Sequence, residues 1–563
     1  MTKLSNFFRS AALSFTAALL LACGNSVGPE ITTPGVGTPP ITGPVLAPAC
    51  TGQASWPTAA LTAADAVTVD PAQFIPESQL RDWGFELDSV GLRATGDAPH
   101  EAYIDRLVAR LKCMGVTDVR LEDVPIANQW LVGDYALSVA SGLSAGPVPV
   151  AAYVPYSGST PDAGVTAPLV FLDTDTVATA ENAAGKIVLY EVPETSLPIA
   201  AFGLFTMGQF NITSQLAKIY TRPYLAQEPV SERQDQLQAA GAVGGIAILA
   251  GTFDTVRGSY FPYDGVLHSK PQLYVDRDVG AQLMTLAASA TPVTLKLTAK
   301  VQPTVTRNIL AYIPGASDEL TVLHSHTDGT NSIEDNGPDA VLGIAQNLVR
   351  LPRSALPRTV LIFLTAGHFT GGGSVKEFLH THANDGLIPR IASITTIEHM
   401  GAQEWEPDAN GTLVYTGNPE LGAIFLPQIQ AFADAACDAF INADAGPGAV
   451  LKPLNPDGDG SARDAVWPGE GQYFYGLARI TTANYITGPY YLLNWGVATA
   501  PKTDFDRMRA EMIAFAQMQL DISRLSKAAL STEGVGIATI GSGKYLSKGL
   551  CVPTPLPVSV PLP

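Results

Sequence analysis

Three short pieces of the chain carry side chains that could together bind a metal ion. His326 and Asp328 flank a single threonine, Asp335 follows shortly after them, and Glu398 lies further along the chain. One imidazole nitrogen and two carboxylate oxygens can hold a zinc ion and leave its fourth position open for water. We therefore predict that His326, Asp335 and Glu398 bind one zinc ion, a pattern that favours a metallohydrolase.

Two of these pieces come directly after apolar runs that are typical of buried strands. Residues 320–323 precede His326, and residues 391–397 precede Glu398. In open α/β sheets, ligands bind at the carboxyl ends of the strands. The runs therefore predict that both side chains emerge at one edge of a sheet, with Asp335 in the loop after the first strand.

The composition indicates a large folded protein with an acidic balance. Hydrophobic residues make up 46% of the 563 residues, charged residues 15%, and the formal net charge is -19. This hydrophobic content is sufficient for a sizeable core. A strongly negative chain lacks the basic surface that nucleic acid requires, so we expect no nucleic-acid partner.

Residues 1–22 have the features of a bacterial lipoprotein signal peptide. Two basic residues precede a short apolar stretch that ends in Ala22, directly before Cys23, and the end of this stretch resembles a lipobox. The stretch is too short to span a membrane as a finished helix. We expect cleavage before Cys23, lipidation of that cysteine and anchoring in the bacterial cell envelope, where Gly24 favours the outer membrane. An ordinary secretory signal is the alternative.

Proline-rich segments flank the central part of the chain. Residues 23–55 are predicted to form a flexible tether, and residues 551–563 form a second proline-rich tail. The intervening residues are too many for one hydrophobic core.

Four cysteines remain once Cys23 is assigned to lipid, and four cysteines allow three pairings. Cys50 and Cys551 lie at opposite ends of the central part, and we predict a disulfide between them in an oxidising compartment. Cys113 and Cys437 lie in helix-like stretches. A second disulfide and two buried free thiols are equally compatible with their positions.

Residues 146–303 interrupt the pattern with short β-like runs. One helix-like segment, residues 232–241, lies among these runs and ends in glycine. The stretch resembles a protease-associated domain, and it is therefore expected to be a β-rich insert. The likeness is carried by residues 185–189, 238–247, 271–275 and 280–283.

Residues 56–145 and 304–550 resemble the co-catalytic zinc aminopeptidase and glutamate carboxypeptidase family. The resemblance implies an α/β fold with a mixed, mostly parallel sheet and helices on both faces. It also implies zinc as cofactor and a peptide or small amide as substrate. It is carried by residues 91–96 and 307–311, by the motif 326–328, by Asp335 with the helix-like residues 339–348, and by Glu398.

The chain departs from that family at two places. After the strand predicted over residues 359–365, the family has two consecutive glutamates, a general base and a zinc ligand, where this chain has Gly367 and His368. The family's last zinc ligand is a histidine, and no histidine follows His399 here. We therefore predict a single zinc ion, with His368 as a substituted ligand or as the catalytic base.

Several neighbouring residues are left with open roles. Asp328 is predicted to accept the second ring N–H of His326 and to fix its tautomer. His324 shares the strand face of His326 and could equally be a hydrogen-bonded core residue. His399 follows Glu398 and is directed to the opposite face if the strand continues. Glu334, Glu404 and Glu470 could each replace the missing base, but the sequence does not rank them and more strongly favours a solvated surface carboxylate for each.

Two functions from different classes follow from these patterns. The first is a lipid-anchored hydrolase that cleaves peptide or related amide bonds with one zinc ion and an altered base. The second is a non-catalytic binding protein on the same scaffold, because a fold does not by itself imply an activity.

Overall fold

The computed structural model describes residues 48–142, 145–210, 218–460 and 464–531. The signal segment, most of the tether, Cys23, Cys551 and the tail lie outside the described residues. Within the described ranges, no helix is long and apolar enough to cross a membrane.

The strands are numbered in chain order. They are β1 (Asp118–Val139), β2 (Gly146–Val148), β3 (Ala152–Tyr153), β4 (Val165–Leu172), β5 (Ile187–Glu191), β6 (Ser196–Pro198), β7 (Thr206–Phe210), β8 (Ile219–Thr221), β9 (Gly244–Ile248), β10 (Gln272–Val275), β11 (Pro292–Ile313), β12 (Ser317–His326), β13 (Arg358–Thr365), β14 (Ile391–Ile397), β15 (Gln403–Pro407), β16 (Leu413–Pro419), β17 (Gly422–Phe425), β18 (Gly448–Leu451) and β19 (Thr482–Ile486).

The α-helices are numbered in the same way. They are α1 (Glu77–Val90), α2 (Ala98–Cys113), α3 (Ala180–Ala183), α4 (Gln227–Ala239), α5 (Phe253–Val256), α6 (Arg277–Ala287), α7 (Gly337–Leu348), α8 (Gly373–Thr381), α9 (Gln430–Asn442), α10 (Gln472–Ala478), α11 (Phe505–Ile522) and α12 (Lys527–Ser531).

The centre of the main sheet has the strand order β11-β13-β12-β14-β19. β12 pairs in parallel with β13 and β14, and β14 pairs in parallel with β19, whereas β11 is antiparallel to β13. Strands that are covered on both faces read as continuous apolar runs, which is why the sequence revealed β12 and β14. The predicted α/β fold with a mixed, mostly parallel sheet is confirmed.

Side chains of β13 alternate between two hydrophobic layers, as the two-residue period of a strand requires. Val360, Ile362 and Leu364 pack into a core with residues of α2, α7 and α11. Leu361 and Phe363 pack on the opposite side with residues of α8 and α10. The first core includes residues from both sides of the predicted insert, so the two flanking segments fold against each other.

Residues 146–303 build a second hydrophobic cluster around four parallel strands in the order β10-β9-β5-β4. The long antiparallel ribbon of β1 and β11 joins this cluster to the main sheet, and β4 pairs with the end of β11. β7 instead pairs with β18 at the far edge of the main sheet. The identity of this segment as a protease-associated domain stays a prediction.

The disulfide prediction for Cys50 is wrong. Cys50 is bonded to Cys113, with the two Cα atoms 5.8 Å apart. The turn after Cys50 packs on the end of α2, where Gln53 Nε2 donates to the Cys113 carbonyl at 2.8 Å. Cys437 is also disulfide-bonded. Its partner lies outside the described residues, so Cys113 and Cys437 neither pair with each other nor remain free thiols.

Breaking the Cys50–Cys113 bond should destabilise the main core. The bond closes a loop with a sequence separation of 63 residues, and a loop of this length corresponds to about 4 kcal/mol in the chain-entropy treatment. Chemical unfolding of Cys50→Ser, Cys113→Ser and the double variant would measure the loss. All three should lose a similar free energy because they remove one bond. The pairing would be contradicted if the double variant lost the sum of the two single losses in unfolding free energy. It would also be contradicted if the single variants lost none.

Candidate metal centre

Four side chains converge where β12 and β14 end. His326 is the last residue of β12, Glu398 and His399 follow β14, and Glu334 lies in the loop between β12 and α7. His326 Nε2 lies 3.8 Å from Glu334 Oε1 and 3.9 Å from Glu398 Oε2. His399 Nε2 lies 3.7 Å from Glu398 Oε2. His326, Glu334 and His399 form a group that could hold a metal ion, with ligand atoms within 4.8 Å of one another.

The four converging atoms are buried and have no hydrogen-bond partner among the described residues. Buried polar atoms are almost always hydrogen-bonded, so four orphaned atoms around one point require an explanation. Ligands about 2.1 Å from a tetrahedral zinc ion lie about 3.4 Å from one another. The separations of 3.7 to 3.9 Å that involve Glu398 Oε2 or join His326 to Glu334 are slightly larger, and the atoms of His326, Glu334 and His399 lie within 4.8 Å of one another. A contraction of the side chains would bring three of these donors to a divalent ion. The donor set therefore fits the metal that the sequence predicts.

Both histidines are held by backbone carbonyls on the far side of the ring. His326 Nδ1 is 2.8 Å from the Asp328 carbonyl oxygen, and His399 Nδ1 is 2.8 Å from that of Thr487. A carbonyl can only accept, so each Nδ1 carries the hydrogen and each Nε2 of the neutral ring has a free lone pair. This is the tautomer that metal binding through Nε2 requires.

Both glutamates are anchored through their second oxygen. Glu334 Oε2 accepts from the backbone N–H of Thr330 at 3.0 Å. Glu398 Oε1 accepts from the backbone N–H of Glu470 at 2.9 Å and from Asn484 Nδ2 at 3.3 Å. The remaining oxygen of each carboxylate is thereby directed at the histidines.

Burial determines the protonation of this centre. It lowers the pKa of His326 to about 4 and that of His399 to about 3, so both rings are neutral near pH 7. It raises the pKa of Glu398 to about 7 and that of Glu334 well above its usual value. A metal ion that binds here must therefore displace protons from carboxylates rather than from imidazoles.

Asp335 is not among the converging donors, contrary to its prediction as a metal ligand. Arg93 Nε donates to Asp335 Oδ2 at 2.9 Å, and Arg93 Nη2 donates to Oδ1 at 2.6 Å. Both side chains are fully buried. The guanidinium of Arg93 thus donates to both oxygens of the carboxylate that was expected to bind metal.

Asp328 has a different role from the predicted one. Its carbonyl, not its carboxylate, accepts from His326. The carboxylate accepts from the backbone N–H groups of His368 and Phe369 at 3.1 and 2.9 Å, and from Thr95 Oγ1 at 2.5 Å. Asp328 therefore fixes the turn that carries His368.

His368 lies beside the donor group. Its ring stacks on that of His326 with centroids 4.1 Å apart, and its Nε2 is 3.5 Å from Glu334 Oε1. The preceding Gly367 has no room for a side chain, because a Cβ there would lie 2.8 Å from the backbone nitrogen of Ser374. A glutamate cannot be restored at position 367 without moving this turn.

The structure separates the other candidates for the base. Glu404 is paired with Lys218 at 2.6 Å. Glu470 Oε2 accepts from Thr365 and lies 3.8 Å from His324, whose ring is hydrogen-bonded within the core. Glu334 alone of the three has an oxygen within 4 Å of His326 and His368.

Residues 146–303 cover the centre. The ring of Tyr263 lies 5.0 Å from that of His368, and Tyr156 Oη donates to the Phe369 carbonyl at 2.6 Å. The backbone of Asp264 also lies close to Gly371, where a Cβ would approach the Asp264 carbonyl to 2.7 Å. The donor atoms are consequently shielded from bulk water.

No protein-family model matches the sequence, and no curated protein matches it. The structure, however, is similar to a zinc aminopeptidase from Bacillus subtilis, with 15% identity, a TM-score of 0.55, and coverage of 78% of this chain and 94% of the other. An aminopeptidase from Aneurinibacillus sp. has 13% identity and a TM-score of 0.50, covering 81% and 94%. A peptidase precursor from Shewanella amazonensis has 16% identity and a TM-score of 0.53, covering 80% and 96%. The chain therefore has a zinc aminopeptidase-like fold.

Removing a donor should abolish tight metal binding. We expect His326→Ala and His399→Ala each to weaken zinc affinity by more than about 100-fold. Substitution of a residue that only supports a metal ligand typically weakens affinity by no more than about 100-fold. His380→Ala is the matched control, because His380 is exposed. Metal content after dialysis and the chelator-induced fall in Tm would be measured. A His399→Ala protein that retains the ion with wild-type affinity would exclude His399 from the centre.

Zinc affinity should also depend on pH. The pKa of Glu398 is about 7 in the metal-free protein, so below that pH a proton competes with the metal. Apparent affinity should fall by about tenfold per pH unit for each displaced proton as the pH decreases from 7. Competition titrations with a chromophoric chelator at pH 6, 7 and 8 would test this. Equal affinity at all three values would show that the carboxylates are already ionised.

Proposed function

We propose that the chain is a single-metal hydrolase that cleaves peptide or related amide bonds. The observation that carries the proposal is the convergence of four buried, unsatisfied donor atoms at the strand ends of a zinc aminopeptidase-like sheet. Such crevices at strand ends are where α/β folds bind their ligands.

His326, His399 and Glu398 are the proposed metal ligands. Two imidazoles and one carboxylate form a ligand set found in catalytic zinc sites, where a fourth position stays open. A bound zinc ion would supply polarisation of the substrate carbonyl and a lowered pKa for water. The anchored far sides of the three side chains hold their donors in place before the metal arrives.

Glu334 is the proposed general base. Its Oε1 is unsatisfied and lies next to the proposed ligands, whereas its Oε2 is fixed by Thr330. Burial raises the pKa of Glu334, which makes its carboxylate a stronger proton acceptor. His368 Nε2, 3.5 Å from the same oxygen, is placed to exchange that proton. Glu334 thus takes over the task that Gly367 cannot perform.

The cover formed by residues 146–303 is part of the proposal. Tyr156 and Tyr263 shield the turn that holds His368, so water is excluded once a substrate is enclosed.

The membrane location is a separate proposal. We infer that Cys23 is lipidated and holds the protein in the bacterial cell envelope, at the outer membrane. The support is the lipobox-like sequence before Cys23 and the following Gly24.

A non-catalytic binding protein is the second candidate function. Burial of all four donor atoms favours it, because a metal held by four protein ligands has no position left for water. In that case Glu334 would be the fourth ligand rather than the base.

Glu334→Gln distinguishes these roles. If Glu334 is the base, the variant keeps its zinc ion and its kcat falls by about 100- to 10,000-fold. Glu228→Gln, at an exposed position, should behave as wild type. Metal content and hydrolysis of aminoacyl anilides, dipeptides and small amides would be measured on the metal-replete protein. Loss of the ion in Glu334→Gln, or an inactive wild type that binds zinc, would favour the binding function.

A further inference from the structure

Arg93 is a fully buried cation beside the metal centre. It forms a two-pronged ion pair with Asp335, the residue next to Glu334 in the chain. The interaction joins residues that are 242 positions apart. Arginine keeps its charge in proteins, so this positive charge is a permanent part of the site.

Every N–H group of the guanidinium is used. Besides Asp335, Nη1 donates to the carbonyls of Leu87 and Gly91, and Nη2 donates to that of Asn331. The backbone is fixed as well, because Arg93 and Gly329 exchange N–H···O bonds of 2.8 and 3.1 Å. Arg93 is therefore held rigidly and has no donor left for a substrate.

The surroundings are shaped for this pair. Asp335 packs directly over Gly329, where an added Cβ would lie 2.4 Å from Asp335 Cγ. Glycine at this position allows the carboxylate to reach Arg93. A carboxylate this deeply buried needs a cation partner, and the guanidinium occupies both of its oxygens.

We propose that Arg93 takes the place of a second metal ion: it neutralises Asp335 and keeps that carboxylate out of metal coordination, so that the centre holds one ion. The inference rests on the proposed function for the first ion, which binds at His326, Glu398 and His399. Asp335 is thus a structural anion and Arg93 a positioning residue. Removal of the guanidinium should free both oxygens of Asp335 for a second metal ion.

The test is the zinc stoichiometry of Arg93→Met, which removes the charge and retains much of the side-chain length. The wild type should bind one zinc ion per chain and Arg93→Met two, with a zinc-dependent rise in Tm that exceeds that of the wild type. The double variant Arg93→Met/Asp335→Asn should return to one ion. Arg110→Met is the matched control, since buried Arg110 pairs with Asp339 and Glu86 instead, and it should also bind one.

The inference would be overturned if Arg93→Met bound one zinc ion or none per chain, or if the wild type bound two. If Arg93→Met does not fold, the zinc stoichiometry and affinity of the single variant Asp335→Asn test the inference instead. It should keep one ion with an affinity within about threefold of wild type, whereas loss of the ion would identify Asp335 as a ligand and overturn the inference. A wild type that binds no zinc would instead refute the proposed function, so the two failures are distinguishable.

Discussion

The ion pair between Arg93 and Asp335 is the interaction on which the position of Glu334 beside the candidate metal ligands depends. It joins the segment before α2 to the loop between β12 and α7, and that loop carries Glu334. Leaving one partner of a buried pair without the other costs about 3–5 kcal/mol. The loop therefore has one strongly favoured position, and the direction of Glu334 follows from it.

A second cross-link relates this loop to the strand end that supplies the other donors. Asn336 Nδ2 donates to the Met400 carbonyl, and the Met400 N–H donates to Asn336 Oδ1, both at 2.8 Å. Met400 directly follows His399, so the reciprocal pair couples the donors after β14 to Glu334. Two strand ends and one loop are thus held as a unit by hydrogen bonds that do not involve the donor atoms themselves.

The sequence predicted the sheet, and the strand ends that carry His326 and Glu398, because apolar strands and the polar residues after them are local signals. The runs before His326 and Glu398 placed both residues at one sheet edge, as observed. The pairing of Asp335 with Arg93 was missed because the two residues are distant in sequence. His399 was left open because an alternating strand would direct it away, whereas its φ of 56° turns it toward the centre. Glu334 could not be ranked above Glu404 or Glu470, since only tertiary contacts distinguish them.

The ribbon of β1 and β11 sets the order in which the chain can fold. Its registered pairs run from Asp118 with Tyr312 to Val139 with Val293, and the whole segment between these strands lies inside the closed loop. Loop closure is entropically cheaper for the inner pairs than for the outer ones, and nonlocal pairing slows folding. Pairing of β1 with β11 should therefore begin at the end near the insert and proceed toward the main sheet. On a ribosome, only the end of β1 at Leu137–Val139 can pair early, with β2, and the rest of β1 must wait as an exposed edge until the residues up to β11 have been synthesised.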